Sequence, residues 1–95
     1  MIGMQEDKLP SQLTTSDIHA AIARTDYVVL PGSTTTVCQL TLKNGYTVTG
    51  TSACVDPAKF NIALGEKYAY EKAFGKVWEL EGYRLRQRCF EAGLA

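Results

Sequence analysis

The most regular pattern in the chain is an alternation of apolar and polar residues around Asn44-Gly45, a dipeptide typical of turns between strands. A two-residue loop at this dipeptide would mix apolar and polar side chains on both faces of the paired strands. A three-residue loop that ends at Gly45 places Leu42 opposite Tyr46 and separates the faces. We therefore predict a β-hairpin within residues 34–54, with Gly45 in the left-handed conformation. The predicted apolar face comprises Cys38, Leu40, Leu42, Tyr46 and Val48, and the polar face comprises Gln39, Thr41, Thr47, Thr49 and Thr51.

A helical pattern follows the hairpin. Asp56-Pro57 is a favourable helix start, because the aspartate accepts from free amides and proline needs no amide partner there. We predict a helix over about residues 58–80, a break or kink at Gly82, and a last helical segment over residues 83–91. The apolar arc of this helix spans about half of its circumference. The arc contains Phe60, Ile62, Ala63, Ala69, Tyr70, Ala73, Phe74, Val77, Trp78 and Leu80, and the opposite, solvated sector contains Asn61, Gly65, Lys72, Lys76 and Glu79.

The pattern before the hairpin is shorter. A helix capped by Thr15 or Ser16 is predicted to run through Arg24, with one narrow apolar stripe. Residues 27–30 form a short β-branched and aromatic run that ends at a proline-glycine pair, the sequence of a type II turn. The sequence leaves open whether this run forms a third strand.

These segments predict a single α+β domain. Residues 1–13 carry no periodicity and are interpreted as a flexible leader, and residues 14–95 as the domain. The domain is expected to contain a short N-terminal helix, a small antiparallel sheet of two or three strands, and a long helix with a C-terminal helical extension.

Composition restricts the partners. The chain has 95 residues, with ten basic and ten acidic side chains that cancel. Balanced charge gives no strong attraction of the whole molecule to nucleic acid or to an anionic membrane, so nucleic acid is a less favoured partner and a membrane is not expected. The apolar arc of the long helix is wider than one small sheet covers, which predicts a homodimer or a larger assembly.

The residues with reactive side chains do not form a catalytic or metal-binding motif. Cys38, Cys54, Cys89 and His19 lack the paired spacing of zinc ligands and are interpreted as three reduced thiols and an isolated histidine. The sequence also lacks a nucleophile elbow and a phosphate-binding glycine loop. We therefore predict no catalytic residue, no metal and no cofactor, and a protein that is not an enzyme.

Five residues are candidates for binding. Arg84 and Arg88 lie one helical turn apart and could clamp a phosphate, a carboxylate or an acidic surface, with Tyr83 and Trp78 as flat surfaces beside them. The alternative is that the arginines are solvated and the aromatic residues belong to the core. Glu66 lies within the apolar arc, where a carboxylate needs a partner. Glu66 either forms an ion pair or snorkels to solvent at the edge of a dimer seam, or it contacts a ligand.

Two stretches of the sequence resemble a known family. They are TVCQLTLKNGYTVTGTSACVDPAKF and VWELEGYRLRQR, and the similarity covers about residues 16–88. The family consists of short, functionally uncharacterised proteins encoded by tailed phages of enterobacteria and related hosts. The resemblance implies a phage gene product in the cytoplasm of an infected bacterium, and it supplies no catalytic residue.

The function expected from these features is that of a non-enzymatic phage accessory protein that binds a host component. Such a protein could counter a host defence by blocking a defence protein or by sequestering a nucleotide-derived immune signal. Two alternatives remain: a nucleic-acid-binding regulator, because helix, three strands, helix is also the order of double-stranded-RNA-binding modules, and a virion assembly component.

Overall fold

The computed structural model describes residues 13–93 of the chain, and it confirms the predicted α+β class. Residues 1–12, most of the predicted leader, lie outside the described residues. The elements are α1 (Thr15–Ala21), β1 (Ile22–Val29), β2 (Thr35–Leu42), β3 (Thr47–Ala53), a 3₁₀ turn (Pro57–Lys59) and α2 (Ile62–Glu91). The three strands form one antiparallel sheet in the order β1, β2, β3.

α1 is shorter than the sequence predicts. Thr14 caps it through a capping box with Asp17, in which each side chain accepts from the other residue's amide. The helix ends at Ala21, so the prediction that it continues through Arg24 is wrong. Arg24 lies in β1, opposite Thr41 of β2, and its guanidinium pairs with Asp26 at 2.7 Å. Strand pairing with β2 has overridden the local helical preference.

The hairpin has the register expected from a three-residue loop. Leu40 lies opposite Val48, and the Leu42 amide donates to the Tyr46 carbonyl at 2.8 Å. Gly45 has a φ of +92°, in the left-handed region. Tyr46 is a correction, because 58% of its surface is exposed although the pattern placed it on the apolar face. It lies at the open end of the sheet, beside a shallow pocket that the helix does not close.

α2 differs from the prediction at both ends. Asp56 caps only the 3₁₀ turn, and α2 begins after Asn61, whose side chain accepts from the Leu64 amide at 3.1 Å. Gly82 neither breaks nor ends the helix, which continues without interruption for 30 residues. At 1.5 Å per residue it is about 45 Å long. The penalty of about 1 kcal/mol for an internal glycine is too small to stop a helix that good helix formers flank on both sides.

The core lies between α2 and the inner face of β2 and β3. Its buried members are Ile18, Cys38, Leu40, Leu42, Val48, Ala69, Ala73 and Val77. The apolar arc predicted for the helix is therefore only partly buried: Ile62, Ala63 and Leu80 are exposed. Within the described residues, neither helix has the length and apolar character needed to span a membrane.

The backbones of α2 and the sheet come into close contact at Gly50 of β3. A Cβ there would overlap the carbonyl oxygen of Ala69 and the amide nitrogen of Ala73, and both are backbone atoms that cannot rotate away. One turn before Ala69, Gly65 of α2 lies against the side chain of Thr36, which a Cβ at Gly65 would overlap. A stripe of small residues on α2 thus lets its backbone rest on the sheet.

Replacing Gly50 should therefore be costly. We expect Gly50→Ala to lower the free energy of unfolding by about 3 kcal/mol, because the new methyl group must push the helix away from β3. The matched control is Gly75→Ala in α2, where an added Cβ meets no atom within 4 Å. The control should raise stability by about 1 kcal/mol through helix propensity. Chemical denaturation measures both, and equal effects would contradict the proposed contact.

The hairpin loop gives a second stability test. Gly45→Ala should lower the free energy of unfolding by about 1 kcal/mol, because alanine is strained at a positive φ. No atom lies within 4 Å of the position of the new methyl group, so the loss would come from the backbone alone. An unchanged denaturation midpoint would count against the left-handed loop.

Candidate functional site

An open cleft of about 660 Å³ lies between the end of α1, the hairpin loop and the C-terminal half of α2. The Lys43 amide donates to the Ala21 carbonyl at 3.0 Å and thereby fixes the loop to the end of α1. The cleft is lined by Asp17, Ala20, Ala21, Leu42, Lys43, Asn44, Glu81 and Arg84. Alanine and leucine side chains form part of its lining, and charged groups from three separate elements form the rest.

The acidic groups of the cleft already have partners. Asp17 accepts from the Thr14 amide at 2.9 Å, and Glu81 accepts from Nη1 of Arg84 at 3.0 Å and 3.4 Å. Lys43 is exposed and forms no ion pair with any residue in the range 13–93. Arg84 is also exposed, and only its Nη1 is engaged by Glu81. The cleft therefore offers cationic hydrogen-bond donors from two elements, the loop and the helix.

The structure does not bring the predicted site residues together on one surface. Arg84 lines the cleft, and Arg88 follows one turn later, half-buried, with an Nε atom that has no hydrogen-bond partner in the described part of the chain. Tyr83 is 72% exposed, on a different side of the helix from Arg84. Trp78 is half-buried and packs against the core. Trp78 and Tyr83 therefore do not form one surface.

Glu66 is far from the arginines. It lies 18 positions before Arg84 on the same helix, a distance of roughly 27 Å along the axis. It is half-buried, near Tyr27 of β1 and Cys38 of β2, and it forms no ion pair with another described residue. Glu66 thus belongs to a second polar cluster, between α2 and β1.

Burial is the largest cause of the pKa shifts of Cys38, Tyr27 and Tyr70. It raises the pKa of the Cys38 thiol, and the neighbouring Tyr27 hydroxyl opposes the shift only in part. The pKa of Tyr27 is raised by burial first and then by the negative charges of ionised Cys38 and Glu66. Burial likewise raises the pKa of Tyr70. The cluster keeps its hydroxyl and thiol groups protonated, which is unfavourable for a nucleophile.

The cysteines, the histidine and the basic residues of α2 do not cluster at a common site. Cys38, Cys54 and Cys89 are free thiols, and the His19 ring packs on the Phe74 ring at a centroid distance of 4.9 Å. Among residues 13–93, no group of three or more histidine, cysteine or acidic side chains is placed to hold a metal ion. The basic residues of α2 follow its whole circumference rather than one stripe; they are Lys67, Lys72, Lys76, Arg84, Arg86 and Arg88.

The sequence interpretation missed Lys43 as a site residue. Lys43 follows the buried Leu42 and begins the hairpin loop, so its position beside a helix was not visible from the hairpin pattern. The length of α2 was the one feature that could have indicated Lys43 as a site residue. An unbroken helix brings Glu81 and Arg84 to the hairpin end of the sheet, whereas the predicted break at Gly82 would have redirected Arg84.

Comparison with known proteins places the chain in one family of sequences. A family model described as "Phage protein (N4 Gp49/phage Sf6 gene 66) family" matches residues 13–89. The match includes the sheet and nearly all of α2, and it confirms the resemblance seen in the sequence. A search of curated proteins and a search of solved structures each gave no match.

The three cysteines provide a test of the burial of Cys38. In the folded protein, iodoacetamide should modify Cys54 and Cys89, which are half-buried, well before Cys38, which is fully buried. Burial blocks access to the Cys38 thiol and also raises its pKa, so less reactive thiolate is present. Pulsed alkylation with peptide mass spectrometry gives the three rates. Unfolding in guanidinium chloride should equalise them, and a Cys38 rate that is equally fast before unfolding would contradict the buried site.

Proposed function

We propose that this chain, which belongs to the Phage protein (N4 Gp49/phage Sf6 gene 66) family, is a non-enzymatic accessory protein that binds a component of the infected host. The observation that carries the proposal is the cleft beside Lys43 and Arg84. Two cations from different elements line one open volume there, and the two carboxylates of the lining already accept hydrogen bonds from other residues. The family membership supports a role during infection, and the cytoplasm of the host is the compartment in which such a component would be met.

The chemistry of the cleft favours a small anionic ligand. Its volume of about 660 Å³ lies within the usual range for ligand sites. An ammonium and a guanidinium with free donors suit phosphate oxygens or a carboxylate, and the alanine and leucine side chains of the lining suit a ring or a chain. Within this class, we propose that the ligand is a nucleotide-derived signal of host defence, and that the phage protein acts by sequestering it.

Other assignments have weaker support. The element order is that of a double-stranded-RNA-binding module, but the cations of α2 surround the helix and the chain has no net charge. Such modules contact phosphates with clustered basic residues. A protein that contacts a defence protein would capture a host protein, and a virion component would capture virion proteins. One capture experiment therefore tests both alternatives.

The experiment uses the tagged full-length protein in infected cells. The parent and the Lys43→Gln/Arg84→Gln variant are captured, the bound small molecules are released by denaturation, and both small molecules and proteins are identified by mass spectrometry. We expect the parent to retain a phosphate-bearing small molecule that the variant loses. Each lost charge-assisted contact should weaken binding by about 1.5 to 3 kcal/mol.

A matched control separates the site from bulk charge. Lys67→Gln/Lys76→Gln removes the same charge from exposed positions of α2 outside the cleft and should retain the ligand. Equal retention by all three proteins would contradict the proposed site. Capture of only nucleic acid, only a host protein or only virion proteins would contradict the proposed ligand. Arg88→Gln, made separately, reports whether the neighbouring arginine contributes.

A further inference from the structure

One side of the C-terminal part of α2 remains uncovered. Leu80, Tyr83 and Phe90 are 37%, 72% and 66% exposed. Together with the exposed Gln87 they recur at intervals of three, four and three residues. These are the a, d, a and d positions of two heptads, the spacing that lines the seam between paired helices. We call this surface, formed by residues 80, 83, 87 and 90, the α2 seam.

Charged residues flank the α2 seam on both sides. Glu79 and Arg86 precede the a positions and occupy g positions, while Arg84 and Glu91 follow the d positions and occupy e positions. In a parallel pair of helices, a g residue faces the e residue five positions later on the other helix. Glu79 would then face the partner's Arg84, and Arg86 would face the partner's Glu91. Both pairs are attractive, and symmetry doubles them to four.

We propose that the α2 seam binds the same seam of a second copy of this chain, in a parallel two-helix arrangement over residues 79–91. The charges distinguish this arrangement from the antiparallel one. An antiparallel pairing that packs Leu80 against the partner's Phe90 would bring Arg84 near the partner's Arg84. It would also bring Arg86 near the partner's Arg86, and like charges at such positions are unfavourable.

The fold makes so short a seam effective. Two heptads alone would scarcely form a helix in water, because helix nucleation is costly. Here the helix is already formed and anchored to the sheet through Ala69, Ala73 and Val77, so pairing does not have to pay that cost. Tyr46, 58% exposed in the shallow pocket that also contains Leu80, extends the apolar surface beyond the helix. Gln87 at an a position is a polar seam residue, of the kind that fixes register.

This inference can be tested separately from the ligand proposed for the cleft. Arg86, Glu91, Tyr83 and Phe90 do not line the cleft, so variants at these positions test the seam alone. Arg84 borders both surfaces, and Glu81 engages only its Nη1, which leaves other guanidinium donors for the partner's Glu79.

The decisive experiment exchanges charges. Arg86→Glu and Glu91→Arg each replace two attractive pairs by two repulsive ones, and each variant should dimerise about tenfold more weakly than the parent in sedimentation equilibrium. A mixture of the two variants restores both attractive pairs in the heterodimer. We expect the mixture to regain the dimer fraction of the parent. Lys67→Glu, an exposed charge reversal outside the seam, should leave dimerisation unchanged.

A cross-link reports the orientation. Gln87→Cys places thiols at the same a position of both helices in the parallel pair, where a disulfide can form. Oxidation should give a dimer linked through residue 87, identified by peptide mass spectrometry, whereas Glu71→Cys, also exposed on α2, should not cross-link. A parent that stays monomeric at micromolar concentration would overturn the proposal. Failure of the mixed variants to restore the dimer, or cross-linking of Glu71→Cys alone, would overturn it as well.

Discussion

The contact that positions everything else is the one between Gly50 of β3 and the backbone of α2 at Ala69 and Ala73. Because no side chain intervenes, the helix lies directly on the strand, and its Val77 reaches the buried layer formed by Cys38, Leu40 and Val48. A larger residue at Gly50 would separate these layers. The small residues of α2 therefore set the distance and the direction of the helix across the sheet, and hence where its far end projects.

The helix and the sheet differ in length, and the cleft and the α2 seam both lie at the end where the helix is the longer of the two. Strands of seven or eight residues span about 26 Å at most, whereas α2 is about 45 Å long. Its C-terminal turns therefore extend beyond the hairpin end of the sheet. One side of this projecting part faces the loop and contributes Glu81 and Arg84 to the cleft. Another carries Tyr83 and Phe90 into solvent, where the proposed second copy binds.

The positions of the charged side chains in the fold, rather than the net charge, determine which of them are available for binding. A total of zero excludes a strong general attraction to polyanions, yet it leaves local groups free to act. In the cleft, Asp17 is used to cap α1 and Glu81 to hold Arg84, so that Lys43 and the remaining donors of Arg84 are available to an anion. Along the α2 seam, equal numbers of acidic and basic residues become complementary between copies. The proposed ligand site and the proposed contact with a second copy therefore use different charged residues, except for Arg84, which borders both surfaces.

The sequence by itself determined the features that depend on neighbours along the chain. Alternation around Gly45 was enough for the hairpin register, because a shift of one residue would have exposed the buried face. Predictions from local sequence were wrong where contacts distant in the chain outweighed local preference. Arg24 lies in a strand rather than in α1, and α2 continues through Gly82. Gly65, which helical periodicity assigned to the solvated sector, lies against Thr36. Arg84 was identified as a candidate from its spacing, but its partner in the cleft, Lys43, was not, because 41 positions of chain separate them. Only the packing of α2 on β3 decided that the two meet, since propensities worth about 1 kcal/mol per residue cannot specify where a helix crosses a sheet.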